Sequence, residues 1–260
     1  MRAAISLTLE AGPERLRAKM RWLKTGIQIG QAVKNVQRLR QIIAIFAKAG
    51  FADVLVRMDL GKFLPGGGAA ANGAGNGGTS ERTPPERIRL AFEELGPTFV
   101  KFGQLLSTRP DLIPDAYIEE FTKLQDSVQP LSYEQVKGAV EEELGQKIET
   151  AFASFDVEPL ASASIGQVHR ARLHSGDKAV VKVQRPGIDR IIETDVQLLE
   201  FLGGLLEKYI PESRIFSPKT IVEEFFRTLS FELDFVIEAS NMAKMAENMA
   251  SIPEVSVPKV

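Results

Sequence analysis

The 260-residue sequence contains no cysteine, two histidines, one tryptophan and three tyrosines. Without cysteine there is no disulfide framework, no thiolate zinc site and no thiol nucleophile. His169 and His174 are too few, and too near a hairpin, for a histidine-built metal centre. Long apolar runs are missing too. The most hydrophobic N-terminal stretch, Ile42 to Ala47, is cut by Lys48 far short of the ~20 residues that cross a bilayer. Met1 to Leu9 is too short for a signal-peptide core, meets Glu10 and carries no small-x-small cleavage site, so no targeting peptide is expected. Net charge is only −2 at pH 7, yet residues 1–60 hold eleven Lys/Arg against four Asp/Glu. That local excess points to an anionic partner near the N-terminus. It lacks interleaved aromatics and any recognised reader motif, so nucleic acid is not the expected partner.

What is present is mostly helical signal. From Pro13 to about Ala49, Val36, Leu39, Ile43 and Phe46 recur at i, i+3, i+7 and i+10 among Lys34, Arg38 and Lys48. Two readings fit: a helix lying on an anionic membrane surface, or one packing its stripe on its own domain. Trp22 suits either. Pro65 to Gly78 has the composition of a flexible linker, which would leave residues 1–64 loosely tethered. No strand precedes it and no lysine follows at P-loop spacing, so this glycine-rich run is not a phosphate loop. Thr83-Pro84-Pro85-Glu86 then reads as a capping box with proline at the first helical position, followed by Ile88, Phe92 and Leu95 as a buried stripe. In the next helix, Phe99, Phe102 and Leu106 share one face and Lys101, Gln104 and Thr108 roughly the opposite one. That polar stripe either reaches a partner or is solvated surface. Tyr117, Phe121 and Leu124 mark another helix after Pro114, and Ser132-Tyr133-Glu134-Gln135 caps one carrying Val136, Val140 and Leu144.

The character changes near Pro159. Strand-type runs at 159–169 and 179–184 are joined through small residues and a short hairpin. Alternation puts Val180, Lys182 and Gln184 on one face and Ala179, Val181 and Val183 on the other. A lysine within an apolar strand is costly to bury alone; a phosphate or a carboxylate would supply a partner, or an edge position would leave it solvated. The small residues Ala161, Ser162, Ala163, Ser164, Ile165 and Gly166 let backbone N–H groups approach anionic oxygens. Arg185-Pro186-Gly187 breaks the strand pattern. A helix through Ile192, Val196, Leu199, Leu202 and Leu206 follows, then a long helical region from Ser217-Pro218 holding Glu232, Asp234, Phe235 and Glu238. Asp234 and Glu238 share a helical face. Glu232 and Asp234 do not, so if both are to meet Lys101 the helix must begin or distort near Ser230. Val255 to Val260 reads as the start of one more strand.

In this order, several of these stretches resemble the UbiB family, also called the AarF-like atypical kinases. Leu95-Gly96-Pro97-Thr98-Phe99-Val100-Lys101-Phe102-Gly103-Gln104 resembles its KxGQ motif, and Ser107-Thr108-Arg109-Pro110-Asp111-Leu112-Ile113-Pro114 continues the likeness. Ala161 to His169 resembles the alanine-rich loop that replaces the glycine-rich loop of ordinary kinases, with Ser162 where alanine is common. Lys182 resembles the strand lysine that holds the α- and β-phosphates, Glu232-Leu233-Asp234 the ExD motif, and Glu238 the αC glutamate that pairs with that lysine. The likeness runs from about Arg87 to the C-terminus.

The expected chain is α+β: charge and composition give a basic helical extension over 1–64 and a flexible linker over 65–82, and the resemblance implies a KxGQ helical domain over 83–156 and a kinase-like small lobe over 157–260. Within that lobe, strands are expected over 158–184, helices over 188–250 and a further strand start over 254–260. It implies ATP and magnesium as cofactors, with Lys182 on the phosphates, Glu238 orienting it, and the amides of Ala161 to Gly166 covering them. Lys101 and Gln104 would lie across the cleft as regulators, near Glu232 and Asp234. The catalytic-loop and metal-binding residues of kinases lie in a large lobe that this sequence does not contain, so no catalytic or metal ligand is assigned within it. The implied role is an ATP-dependent kinase or ATPase supporting ubiquinone or related isoprenoid-quinone biosynthesis, with quinone precursors, biosynthetic enzymes and an anionic membrane as partners. The implied location is the cytoplasmic side of a membrane such as the bacterial inner membrane. The alternative is a non-catalytic lipid-binding or scaffolding pseudokinase.

Overall fold

Helix signals read from the sequence set most of the architecture. The computed structural model describes residues 3–5, 29–64, 82–124 and 130–260. Trp22, the part of the first expected helix over 13–28, and the linker at 65–81 lie outside them. After a short strand β1 (Ala3–Ile5) come α1 (Ile29–Phe46), a kinked turn at Ala47–Phe51 and α2 (Ala52–Arg57). Then α3 (Pro84–Leu95) and α4 (Pro97–Ser107) follow, with α5 (Asp115–Phe121), α6 (Tyr133–Leu144) and α7 (Ile148–Ala151) after them. Strands β2 (Ser154–Phe155), β3 (Ala161–Ser162), β4 (Gly166–Arg172) and β5 (Lys178–Gln184) lead into α8 (Ile188–Tyr209), α9 (Pro218–Leu233) and α10 (Phe235–Asn248). The fold is mixed α+β: helices first, then a small sheet and further helices.

The caps behave as their chemistry requires. The Thr83 side chain accepts from the Glu86 N–H with proline at the start of α3, and Ser132 with Gln135 completes a reciprocal capping box on α6. Gly145 closes α6 in the left-handed region at φ 62°.

The chain forms two compact units, each built from separated segments. One contains residues 27–126 and 190–227. In it Phe92 is ringed by Phe46, Phe99, Phe102 and Phe121, the last stacked at 5.3 Å, while Phe102 meets Phe225 of α9 at 5.0 Å. Leu39, Ile42 and Ile43 of α1 are buried here, and Arg38 donates to buried Asp195 of α8 at 2.7 Å and to the Leu95 carbonyl at 2.7 Å. The expected loose tethering of residues 1–64 therefore does not hold for the described part of that segment. The stripe that suited a membrane surface is core, and only Val36 of its four members is exposed.

The other unit holds residues 1–26, 127–189 and 228–260. Its sheet runs β1-β5-β4-β2 with β3 also on β4; all pairs are antiparallel except β1 on β5. One face of β5, Ala179, Val181 and Val183, is buried, and Val181 and Val183 share a core with Val136, Val140, Ile148 and Phe152. Helices α6 and α7 thus pack with the sheet, whereas the sequence reading grouped them with the KxGQ helices. The helical region after Pro218 breaks at Asp234. One further expectation changes. Residues 254–260 form no strand, only an isolated bridge at Lys259, because a ladder needs a neighbouring edge to pair with.

Candidate functional site

Strand alternation delivers Lys182 to a defined neighbour. On the face of β5 opposite the core, Lys182 Nζ donates to Glu238 Oε2 of α10 at 2.5 Å and sits 4.4 Å from the centroid of the Phe235 ring. Phe235 and Glu238 are i and i+3 on α10, so ring and carboxylate meet the same ammonium. Two residues along the strand, the Gln184 side-chain amide donates to the Leu233 carbonyl at 3.0 Å, where α9 ends. At that break Asp234 is extended (φ −99°, ψ 94°) and its side chain accepts from the Val236 and Ile237 N–H groups, capping α10. Lys182 and Glu238 are 39 % and 46 % exposed. A pair that open contributes about 0–1 kcal/mol, so it does not hold the helix on the sheet. Burial of Phe235, worth about 1.5–3 kcal/mol, and the Gln184 bond do that, leaving the ion pair as a positioned charge.

The small-residue segment is a tight turn between β3 and β4, closed by the Ala163 N–H on the Gly166 carbonyl at 2.8 Å. Ala161 and Ala163 are exposed, Ser162 is half-buried, and Ser164, Ile165 and Gly166 are buried. A Cβ at Gly166 would stand 2.6 Å from the Val183 carbonyl oxygen, so glycine is set here by close approach of β5. The Ser164 hydroxyl has no hydrogen-bond partner. Arg185, just past β5, donates from its backbone to the Ile165 carbonyl, from Nε to the Ala163 carbonyl at 3.0 Å and from Nη2 to Ser162 Oγ at 3.0 Å. Burial pushes its guanidinium below the usual value.

Beneath the turn lies a buried polar chain. His169 Nδ1 is 2.8 Å from the Asp156 carbonyl, which only accepts, so Nδ1 carries the proton and Nε2 accepts from the Gln167 amide at 2.8 Å. Gln167 Oε1 in turn accepts from the Leu131 N–H, tying β4 to the approach to α6. His169 is thereby a fully satisfied core group.

Lys101, Gln104, Glu232 and Asp234 divide between the two units. In its own unit Gln104 donates to the Leu124 carbonyl at 3.1 Å and Thr108 to the Leu105 carbonyl at 2.7 Å, so both of these polar-stripe side chains are engaged. Gly103 is required by packing: a Cβ there would meet Leu124 Cδ1 at 2.3 Å and Phe92 Cδ2 at 2.9 Å. Among the described residues no group of three or more His, Asp or Glu is placed to hold a metal, and no helix is long and apolar enough to cross a membrane.

Sequence reasoning placed Lys182 and Glu238 together but missed Arg185 and assigned Gln184 no role. The signal for Arg185 was present. Counting strand pairs back from the Leu173–Asp177 turn sets Gly166 opposite Gln184, and hence residue 185 beside 165.

Residues 123–260 match the family model of the ABC1 atypical kinase-like domain. The chain belongs to that family. Among curated ABC1/UbiB relatives, the probable protein kinase UbiB of Marinobacter nauticus is 46% identical over 173 residues, covering 66% of this chain and 32% of the relative. Its counterpart in Pseudomonas paraeruginosa is 46% identical over 180 residues, covering 69% and 34%. The chain thus spans about a third of the length of these UbiB relatives. A solved structure described as the complex of Rv3197 and erythromycin from Mycobacterium tuberculosis matches with a TM-score of 0.42 and 33% identity, over 60% of this chain and 41% of that one.

Proposed function

We propose that Lys182, Glu238 and the β3–β4 turn form the phosphate-handling wall of a nucleotide site in an ATP-dependent atypical kinase or ATPase. The observation that carries this reading is the Lys182–Glu238 pair, an ammonium fixed in direction beside a turn of small residues. The half-exposed ammonium of Lys182 fits phosphate oxygens, whereas the Ala163 N–H is spent on the Gly166 carbonyl and residues 164–166 are buried, so Lys182 carries the fit. It does not suit a metal ion, and no magnesium ligands are assigned among the described residues. Glu238 orients Lys182 toward the α- and β-phosphates, and Asp234 caps the helix that carries Glu238. Lys101 and Gln104 are proposed as regulatory residues of the KxGQ motif, with Glu232 and Asp234 as the ExD motif. The 1–64, 65–82, 83–156 and 157–260 segments remain the proposed domains along the sequence, although the compact units combine residues from different ones.

The proposed biological role is support of ubiquinone or another isoprenoid quinone at the cytoplasmic side of a membrane. Its support is the family and the UbiB name of the relatives. The described part of α1 lends it none, since the stripe is buried. The test is equilibrium binding of ATP and ADP to the full-length protein, beside Lys182→Ala and Glu238→Gln, together with phosphate release. Loss of affinity of about tenfold or more in Lys182→Ala is expected, since a charge-assisted contact is worth about 1.5–3 kcal/mol. Wild-type binding no tighter than that of Lys182→Ala would reject the nucleotide site and leave the scaffolding alternative.

A further inference from the structure

We propose that the outer face of the β4–β5 hairpin, where Arg170, Arg172 and Lys178 stand beside Lys182, is a docking surface for an acidic protein segment in extended conformation. The inference is independent of the nucleotide reading, because Lys182 is already paired with Glu238 and the other three cations carry it.

Strand register gathers these charges. Ala171, Ala179 and Val181 are buried, so alternation turns Arg170, Arg172, Lys178 and Lys182 to the opposite face. Arg172 pairs directly with Lys178 and Arg170 with Val180, which puts Arg170 diagonal to both lysines. The carbonyls of Arg170 and Arg172 accept from the Asp156 and Ala153 N–H groups, at 2.9 and 2.8 Å, on the side away from β5. Arg172 and Lys178 therefore face each other as a pair without hydrogen bonds, the closer of the two antiparallel spacings, with Cα atoms about 4.5 Å apart. Like charges so placed destabilise a sheet. Arg170, Arg172 and Lys178 are all exposed, and among the described residues none of the three is in an ion pair. Arg172 Nη1 donates to the Gly176 carbonyl at 3.4 Å, which leaves its charge uncompensated. Nearby acids do not neutralise the group: Asp156, whose N–H reaches the Arg170 carbonyl, forms no ion pair with it, and Asp177 accepts from Ser175 Oγ at 2.8 Å.

Protection of an open sheet edge does not account for these cations, because β4 and β5 are the inner strands of the order β1-β5-β4-β2. An anion lying across the face does. Spacing selects which anion. Arg170 and Arg172 are two apart on β4, about 6.6 Å along the strand, and Lys178 and Lys182 are twice that on β5. An extended segment with a carboxylate at every second position presents its charges on one side at the same interval. Val168 and Val180 are half-buried between the cations, so the face offers ordered charge and not the exposed apolar side chains that enter a lipid surface.

The experiment measures fluorescence anisotropy of two labelled peptides of equal composition, Glu-Ser-Glu-Ser-Glu-Ser-Glu and Glu-Glu-Glu-Glu-Ser-Ser-Ser, on the full-length protein. Wild type is compared with Lys178→Glu and with the Arg170→Gln/Arg172→Gln/Lys178→Gln triple variant, each checked by thermal melting. The alternating peptide is expected to bind about threefold tighter than the block peptide, to weaken as salt is raised, and to lose about tenfold in the triple variant. Lys178→Glu is expected to lose affinity as well, yet to melt about 1–3 °C above wild type, since a carboxylate then faces Arg172. Should the triple variant melt early, Lys178→Glu carries the test. Equal affinity in wild type and Lys178→Glu overturns the docking surface, and equal binding of the two peptides overturns the match of spacing. A lower melting temperature in Lys178→Glu would show that Arg172 and Lys178 do not repel, which removes the ground of the proposal. Phosphatidylserine vesicles that bind wild type but not the triple variant, while neither peptide binds, overturn the acidic segment in favour of a lipid surface.

Discussion

Two neighbouring letters in helix α4 have different physical origins. Gly103 is there because Leu124 and Phe92 leave no room for a Cβ, and Gln104 because its amide donates to the Leu124 carbonyl beyond the end of α5. Gly103→Ala is expected to cost about 1–3 kcal/mol by overpacking. The contrast is Gly138→Ala in α6, where a Cβ meets nothing and helix propensity alone predicts a gain of about 1 kcal/mol. Chemical denaturation of the two variants tests both signs; equal midpoints would mean that the helix contact around Gly103 yields easily. Glu200 supplies a pH test. Burial, with Glu223 beside it, raises its pKa, so the folded state holds a proton that the unfolded state releases. Stability is therefore lost as pH rises through that window, and at neutral pH the group is destabilising. Glu200→Gln is expected to melt higher than wild type at neutral pH, with the gain fading below the ordinary glutamate pKa of about 4.3; a lower melting point at neutral pH would contradict it. At this scale Lys182 was legible, because alternation alone decides its face. Gln104 was not, since its partner is a carbonyl brought up by another segment, and a carbonyl leaves no mark in the sequence; Arg185 was legible only through the strand register that sets it beside Ile165.

Among the elements, the break between α9 and α10 does the most for the site. A continuous helix would put Glu232 and Asp234 on different faces and give α10 no independent direction. Here Asp234 leaves helical geometry and caps the next helix, and Gln184 holds the preceding carbonyl to β5. Those two anchors set where Glu238 meets Lys182. Strand residues two apart are separated by about 6.6 Å. One turn of helix advances about 5.4 Å. Gln184 and Lys182 can therefore engage the junction and the following turn together. Asp234→Ala is expected to destabilise by about 1 kcal/mol through loss of the cap, while Asp234→Asn or Asp234→Ser, which keep an acceptor, lose little. Melting temperatures of the three variants check this, and equal losses in all three would show that Asp234 acts through its charge. The helices flanking the break were readable from periodicity and their proline and serine starts. Its exact place was not, because Phe231 to Glu238 has no glycine or proline to announce it. The fate of α1 was undecidable for a related reason. An amphipathic stripe has the same spacing whether a lipid surface or a neighbouring helix covers it, and only the positions of Phe92 and Asp195 settle that Leu39 and Ile43 face protein.

For the whole molecule, the decisive feature is that each compact unit is assembled from separated stretches of chain. Helix α8 begins in the unit that holds the sheet and continues in the unit built around Phe92, and α9 runs the other way. The region that matches the ABC1 family, 123–260, therefore does not coincide with a self-contained structure. Expressed alone it would keep strands β2 to β5, α6 and α10, but not β1. It would also keep Ile192, Val196, Leu199, Ile221 and Phe225, which are buried in the unit whose other segment it lacks. Exposing each such side chain costs about 1.5–3 kcal/mol, and five of them compare with the roughly 5–15 kcal/mol that stabilises an ordinary protein. Asp195 would lose Arg38, and Phe225 would lose Phe102. The 123–260 fragment is accordingly expected to bind a hydrophobic dye strongly, to elute as aggregates and to melt without a sharp transition. The 260-residue chain under the same conditions is expected to melt cooperatively. A monodisperse 123–260 fragment with a sharp transition would show that α8 and α9 bury their apolar faces without residues 27–122, and that the family region folds as a unit of its own.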